Sequence, residues 1–260
     1  MWANAAIVAT LFCFSLSSYA KTLRVNLVNY PPRSIQGPPA SGTSVELLNF
    51  IFEGTDYEIK YVFVPWARTF ANLKVGKADM LLFVPKFASD DFIKEVDSGK
   101  PIFNSLVSLF YNKKYYQGAT RFNTLSEFKG KKVGTLIKAA TIDFFNDAGL
   151  RVHQATNQVS LFNMLLRGRL DFVESEDVSG LAVASTFPPA QNRLIGIVRD
   201  PIAVMPVHLA ISRARNDYSE IRRVVNEKMK EIIANGIYHK IFSKNYGGLD
   251  VPPLAIPTGY

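Results

Sequence analysis

Hydrophobic and polar positions along the chain change period several times, and the changes divide it into short elements. Leu23 to Val28 alternates apolar and polar side chains, the pattern of a half-buried strand, and Tyr30-Pro31-Pro32 stops it. Val45 to Phe52 has helical spacing and ends near Gly54, and Tyr57 to Val64 alternates again. Trp66, Phe70 and Leu73 fall on one helix face, Gly76 ends that helix, and Asp79 to Val84 is a short apolar strand. Strand-helix-strand-helix-strand calls for an α/β layer with a mainly parallel sheet.

The order returns after Leu106 to Tyr111. Lys132 to Thr135 and Arg151 to Gln154 read as strands, Thr141 to Ala148 and Ser160 to Arg167 as helices stopped by Gly149 and Gly168, and Leu170 to Val173 as a third strand. The two units share a detail. Leu73-x-x-Gly76-Lys-x-Asp79 matches Leu165-x-x-Gly168-Arg-x-Asp171. In both, Leu packs the helix on the sheet, Gly takes the left-handed position past the helix end, and a strand begins at or just after Asp. Two similar α/β lobes are expected, each with its own sheet. Towards the C-terminus, Asn216 or Asp217 can cap a helix reaching Asn235, with Ile221, Val224, Val225, Met229, Ile232 and Ile233 inward. A shorter helix, Ile237 to Lys244, ends at Gly247-Gly248, and the tail from Val251, with three prolines and no periodicity, is expected to be loose.

The N-terminus belongs to another regime. Residues 1–20 carry no charged side chain, Ala5 to Leu16 is mostly apolar, and Ser18-Tyr19-Ala20 puts small residues at −3 and −1 of a cut. This reads as a secretory signal peptide removed after Ala20. The run is short of the roughly 20 residues a membrane span needs. Phe12 is too bulky to precede a lipoprotein cut at Cys13, the chain's only cysteine. The mature protein then has no thiol, which suits an oxidising compartment such as the periplasm.

Composition narrows the chemistry further. With 48% hydrophobic residues the chain can build a core, and 30 basic against 22 acidic residues leave a spread net charge of +8, without the basic–aromatic clustering of a nucleic-acid binder. No Gly-x-Ser-x-Gly, His-Glu-x-x-His, phosphate loop or dinucleotide fingerprint occurs, and His153, His208 and His239 lack metal-ligand spacing. No cofactor or metal is called for. Glu174-Ser-Glu176-Asp177 follows the end of a strand, where α/β proteins bind ligands. It is the one cluster suited to acid–base work.

Four stretches in order carry a family resemblance: the first strand with Tyr30-Pro31-Pro32; Pro65-Trp66-Ala-Arg68 followed by Leu73 to Asp79; Leu125 to Gly134; and Asn235-Gly236-Ile-Tyr238 to Gly247. Together they resemble the extracytoplasmic solute-binding proteins of family 3, the polar-amino-acid binders that serve ABC importers. The resemblance implies a type II periplasmic-binding-protein clamshell. Lobe one would be about 22–110 plus 205–250 and lobe two about 111–204. Two hinge strands would lie near Phe110 to Lys114 and Ile202 to His208, and closure would trap a small ligand. It also implies a monomer that partners a small molecule and an ABC permease or sensor membrane protein.

The departures from the family pattern are informative. The arginine that usually holds the ligand carboxylate falls at Asp91, the second-lobe Gly-Thr falls at Lys138-Ala139, and the ammonium-binding Asp falls at Glu176. Thr141 can replace the lost hydroxyl, and Arg68 or Arg33 can supply a positive group. The expected ligand-binding residues are therefore Tyr30, Trp66, Arg68, Phe83, Thr141 and Glu176. Tyr30, Trp66, Arg68 and Glu176 should face one interlobe cavity, with Thr141 at a second-lobe helix N-terminus and Phe83 at a strand end. The ligand would carry an amine or hydroxyl handle, or an acid group that meets Arg68 instead. Three functions follow: a non-catalytic binding component, an enzyme of dehydratase type using Glu174 and Glu176, or a ligand sensor acting with a membrane partner.

Overall fold

A computed structural model of the chain describes residues 20–118, 121–137, 139, 141–247 and 250–260. The expected leader up to Tyr19, Lys138 and Gly248 lie outside the described residues. The strands are β1 (Lys21–Leu27), β2 (Tyr57–Phe63), β3 (Met80–Phe83), β4 (Val96–Asp97), β5 (Pro101–Asn112), β6 (Lys132–Leu136), β7 (Arg151–Ala155), β8 (Phe172–Glu176), β9 (Ile195–Ile197) and β10 (Ala203–Ser212). The helices are α1 (Thr43–Phe52), α2 (Trp66–Lys74), α3 (Asp90–Glu95), α4 (Ile142–Asp147), α5 (Gln158–Leu166), α6 (Asp177–Ser185), α7 (Pro189–Asn192), α8 (Tyr218–Ala234) and α9 (Ile237–Phe242).

The two lobes are built alike. In lobe one β1 lies between β2 and β3, all parallel, and β10 runs antiparallel on β3. In lobe two β6 lies between β7 and β8, again parallel, and β5 runs antiparallel on β8. The long strands β5 and β10 also pair with each other, from Pro101 to Val107 against Ala203 to His208. The expectation of two separate sheets is thereby corrected: a continuous ladder runs through both lobes, and the two hinge strands are its middle. The first hinge also lies earlier than Phe110 to Lys114. At Val107 the ladder to β10 ends, opposite Ala203, and the ladder to β8 begins, opposite Glu176. The second hinge carries a register shift between Val207 and His208, where β10 passes from pairing with β5 to pairing with β3.

In each lobe the sheet is covered on both faces, and strand alternation decides which side chain goes where. In lobe two, consecutive residues Leu109 and Phe110, and Phe172 and Val173, fall into opposite core clusters. In lobe one, Leu23, Val25 and Leu27 pack with α1 and with Ile221, Val225 and Met229 of α8, while Leu81 and Phe83 pack on the other face with Leu73 and Phe92. The shared heptapeptide does one job twice. Gly76 and Gly168 both take left-handed φ, 68° and 69°. Asp79 then accepts from the backbone N–H of Arg24 at 2.8 Å, and Asp171 from that of Lys132 at 2.7 Å. Each carboxylate ties the end of its helix-to-strand turn to the first strand of its lobe.

The C-terminal tail is not loose. Val251 and Ala255 are buried in the lobe-one core. Tyr238 donates to the carbonyl of Ala255 at 3.0 Å, and Asn104 donates to that of Leu254 at 2.9 Å. A proline-rich segment without periodicity still packs when side chains of the body meet its carbonyls.

Candidate functional site

At the carboxyl edge of the lobe-one strands, beside β8, lies a cavity of about 390 Å³. The loop after β1 enters it first. Gly42, the residue before α1, offers no side-chain cap, and the backbone N–H groups of Thr43 and Ser44 instead meet the carbonyls of Pro32 and Arg33. The helix start thus pins the loop that carries Arg33. A Cβ on Gly42 would come within 2.5 Å of the Arg33 carbonyl oxygen, and its φ of 102° suits only glycine.

Arg33 is buried against the touching rings of Phe103 and Phe242, 4.5 and 5.8 Å from their centroids. Its Nε donates to Glu176 Oε1 at 2.5 Å. Glu176 ends β8 in lobe two, so this ion pair joins the lobes. Ser105 of β5 donates to the same oxygen at 2.8 Å, and Ser179 of α6 donates to Oε2 at 2.7 Å. Burial alone would push the Glu176 carboxyl up, but the Arg33 charge and the three donors outweigh it and hold it below the usual carboxylate range. The next residue responds oppositely. Asp177 is pushed up to about 6, chiefly by burial, although Tyr246 of lobe one donates to it at 2.5 Å. Arg33 Nη1, by contrast, is buried with no partner among the described residues.

Aromatic side chains form much of the remaining wall. Tyr30, Trp66, Phe83, Phe87 and Phe103 line it, with Asn26 of β1 and Thr69 of α2 as polar members. Trp66 is 43% exposed and meets Phe70 edge-on at 5.0 Å. Tyr30 is 45% exposed, whereas Phe83 is fully buried.

Of the residues singled out from the sequence, Tyr30, Trp66, Phe83 and Glu176 come together in this cavity. Arg68 does not. It is exposed on α2 and is not among the lining residues, because the cavity-facing side of that helix is taken by Trp66 and Thr69. Thr141 lines a larger interlobe groove of about 780 Å³, with Lys86, Phe144, Met205 and His208, which adjoins the cavity at Val84. It sits immediately before α4 but makes no side-chain cap. Asp91 lies in the first turn of α3 at the surface, 3.4 Å from Lys94. Glu174 accepts from Thr135 at 2.6 Å and is on neither wall; burial raises its carboxyl.

Asn26, Thr69, Phe87, Phe103 and Ser105 were missed in the sequence. Asn26 occupies the polar phase of an alternating strand and so reads as solvent-facing, yet α2 covers that face.

No curated protein compared with the chain matches it. Among solved structures, the L-cystine solute receptor of Neisseria gonorrhoeae, in its unliganded open conformation, is 18% identical, with TM-score 0.71 over 90% of this chain and 96% of its own. The second substrate-binding domain of Lactococcus lactis GlnP, also open, is 19% identical, with TM-score 0.67 over 86% and 95%. A histidine kinase sensor domain similar to periplasmic binding proteins is 18% identical, with TM-score 0.61 over 90% and 100%. At these identities the likeness is one of fold. The family assignment comes from the sequence itself, which matches the bacterial extracellular solute-binding proteins, family 3, from residue 24 to residue 248; the chain belongs to that family.

Proposed function

We propose that the protein is a non-catalytic solute receptor of the periplasm, capturing a small amino-acid-like solute in the cavity between its lobes. The observation that carries this reading is the buried Arg33–Glu176 pair set among aromatic walls. Side by side, the two side chains offer both signs of charge to a zwitterionic head: Arg33 Nη1, still unpartnered, for a carboxylate, and Glu176 for an amine. Tyr30, Trp66 and Phe87 offer apolar faces to the rest of the solute. The arginine lost at Asp91 is thus replaced from the loop after β1, and Arg68 is not needed.

Binding is favoured over catalysis by the state of the two carboxylates. Glu176 is ionised and already accepts three hydrogen bonds, which suits neither a proton donor nor a free base. Glu174 is turned to Thr135 and does not reach the cavity. Delivery to an ABC permease or to a sensor protein would follow closure, and export would follow removal of the leader, leaving Lys21 as the first residue. No helix among the described residues is long and apolar enough to cross a membrane.

The test is a calorimetric panel of the amino acids, simple amines and organic acids against the purified mature protein. Saturable binding of an amino acid, weakened by Glu176→Gln and by Trp66→Ala, is expected. Binding left unchanged by both substitutions would put the site elsewhere.

A further inference from the structure

Asn26 is 1% exposed, and neither its amide oxygen nor its amide nitrogen has a hydrogen-bond partner among the described residues. Buried polar atoms are nearly always paired, because an unpaired one keeps its full desolvation penalty. Asparagine is also poorly suited to a strand interior. The residue therefore costs stability where it stands, and no hydrogen bond among the described residues uses its side chain.

Its surroundings sharpen the point. Leu23, Val25 and Leu27 of β1 face the α1–α8 core, so alternation turns Arg24 and Asn26 to the other face. There Arg24 is paired with Asp79, and Asn26 lies opposite Leu81 of β3. Neighbouring hydroxyls have given their protons elsewhere: Thr69 to the Trp66 carbonyl at 2.7 Å and Ser34 to the Val28 carbonyl at 2.7 Å. Asn26 nevertheless lines the cavity with Trp66 and Phe83.

We propose that Asn26 is a specificity-determining residue that reads an uncharged donor–acceptor pair on the solute, a carboxamide, urea or lactam group. This rests on reading the cavity as the solute site. The chemistry is a matter of complementarity. A carboxylate offers acceptors only and leaves Asn26 Oδ1 bare; an ammonium offers donors only and leaves Nδ2 bare. A carboxamide supplies one of each in the spacing of a second amide, so that both atoms are satisfied at once. An apolar end satisfies neither, and a site with unpaired buried polar groups rejects such an analogue strongly.

The experiment uses propionamide, propionate and propylamine as probes, read by thermal unfolding of the wild-type protein, Asn26→Leu and Asn26→Ala. Propionamide is expected to raise the wild-type unfolding temperature more than the other two, and to lose that advantage in both variants. Without any probe, Asn26→Leu is expected to unfold at a higher temperature than wild type, since it removes an unpaired buried amide. Equal shifts from the three probes, no shift from any, a propionamide effect that survives in either variant, or a lower unfolding temperature for probe-free Asn26→Leu would each overturn the proposal. A parallel titration with L-glutamine and L-methionine separates it from the broader reading. If methionine binds wild type as tightly as glutamine, the Asn26 inference fails and the receptor reading stands. If propionamide alone acts, the Asn26 inference stands and the amino-acid reading fails.

Discussion

Separating Arg33 from Glu176 should expose how much the lobes depend on one buried pair. The side chains are 5% and 7% exposed and meet at 2.5 Å. Removing one partner of such a pair typically costs about 3–5 kcal/mol, because the other is left charged out of water. The two directions should differ. In Arg33→Met the stranded carboxylate keeps the hydroxyls of Ser105 and Ser179, so a loss near the lower figure, about 3 kcal/mol, is expected. In Glu176→Leu the guanidinium loses its hydrogen-bonded carboxylate and keeps the rings of Phe103 and Phe242 and the charge of the nearby Asp177, and the loss should approach about 5 kcal/mol. For a chain of this size that corresponds to a fall in Tm of roughly 6–20 °C.

Urea unfolding of wild type, both single variants and the double variant closes the cycle. The double variant should lose no more than the worse single, since no stranded charge remains. The pH arm has a definite sign. The folded-state pKa of Glu176 is depressed, so its contribution is present above the unfolded value of about 4.3 and is lost as pH falls through the lower folded value. The gap between wild type and Glu176→Leu should therefore narrow below about pH 4. Single losses under about 1 kcal/mol, or a double loss equal to the sum, would refute the reasoning.

Asp177 should act in the opposite window. With its carboxyl raised to about 6, the folded state binds the extra proton, so this group's share of stability falls as pH rises from about 4 through 6. Asp177→Asn should flatten that slope in urea titrations across the range. Trp66→Ala should leave Tm almost unchanged, because the ring is 43% exposed, yet weaken the solute identified by the panel by about tenfold in calorimetry. Gly42→Ala should lower both stability and affinity, because its Cβ meets the Arg33 carbonyl and displaces the loop; a variant with wild-type Tm and affinity would show that the loop is set by something else.

The fold was legible in the sequence wherever a periodic pattern ended on a glycine. Gly76 and Gly168 closed their helices where expected, and the two Asp residues after them did matching work on β1 and β6. What misled was continuity. β5 and β10 each belong to both lobes, and local periodicity does not reveal that Val107 has Ala203 on one side and Glu176 on the other. The tail misled for a related reason: its carbonyls are met by Tyr238 and Asn104, side chains distant in sequence.

The site shows the same boundary more sharply. Tyr30, Trp66, Phe83 and Glu176 could be found because strand ends and helix starts gather at one edge of an α/β sheet. Arg68 followed from helix geometry, but which side of α2 faces the cavity is decided by packing. Asn26 and Arg33 are harder still. Both are polar residues at positions that alternation or a proline turn marks as solvent-facing, and both are buried because a distant element closes over them: α2 over Asn26, Phe103 and Phe242 over Arg33. Burial turns an ordinary polar residue into one that must be matched. Glu176 matches Arg33 Nε from the other lobe. Asn26 and Arg33 Nη1 have no match within the described chain, and the cavity beside them is where a match can come from outside it.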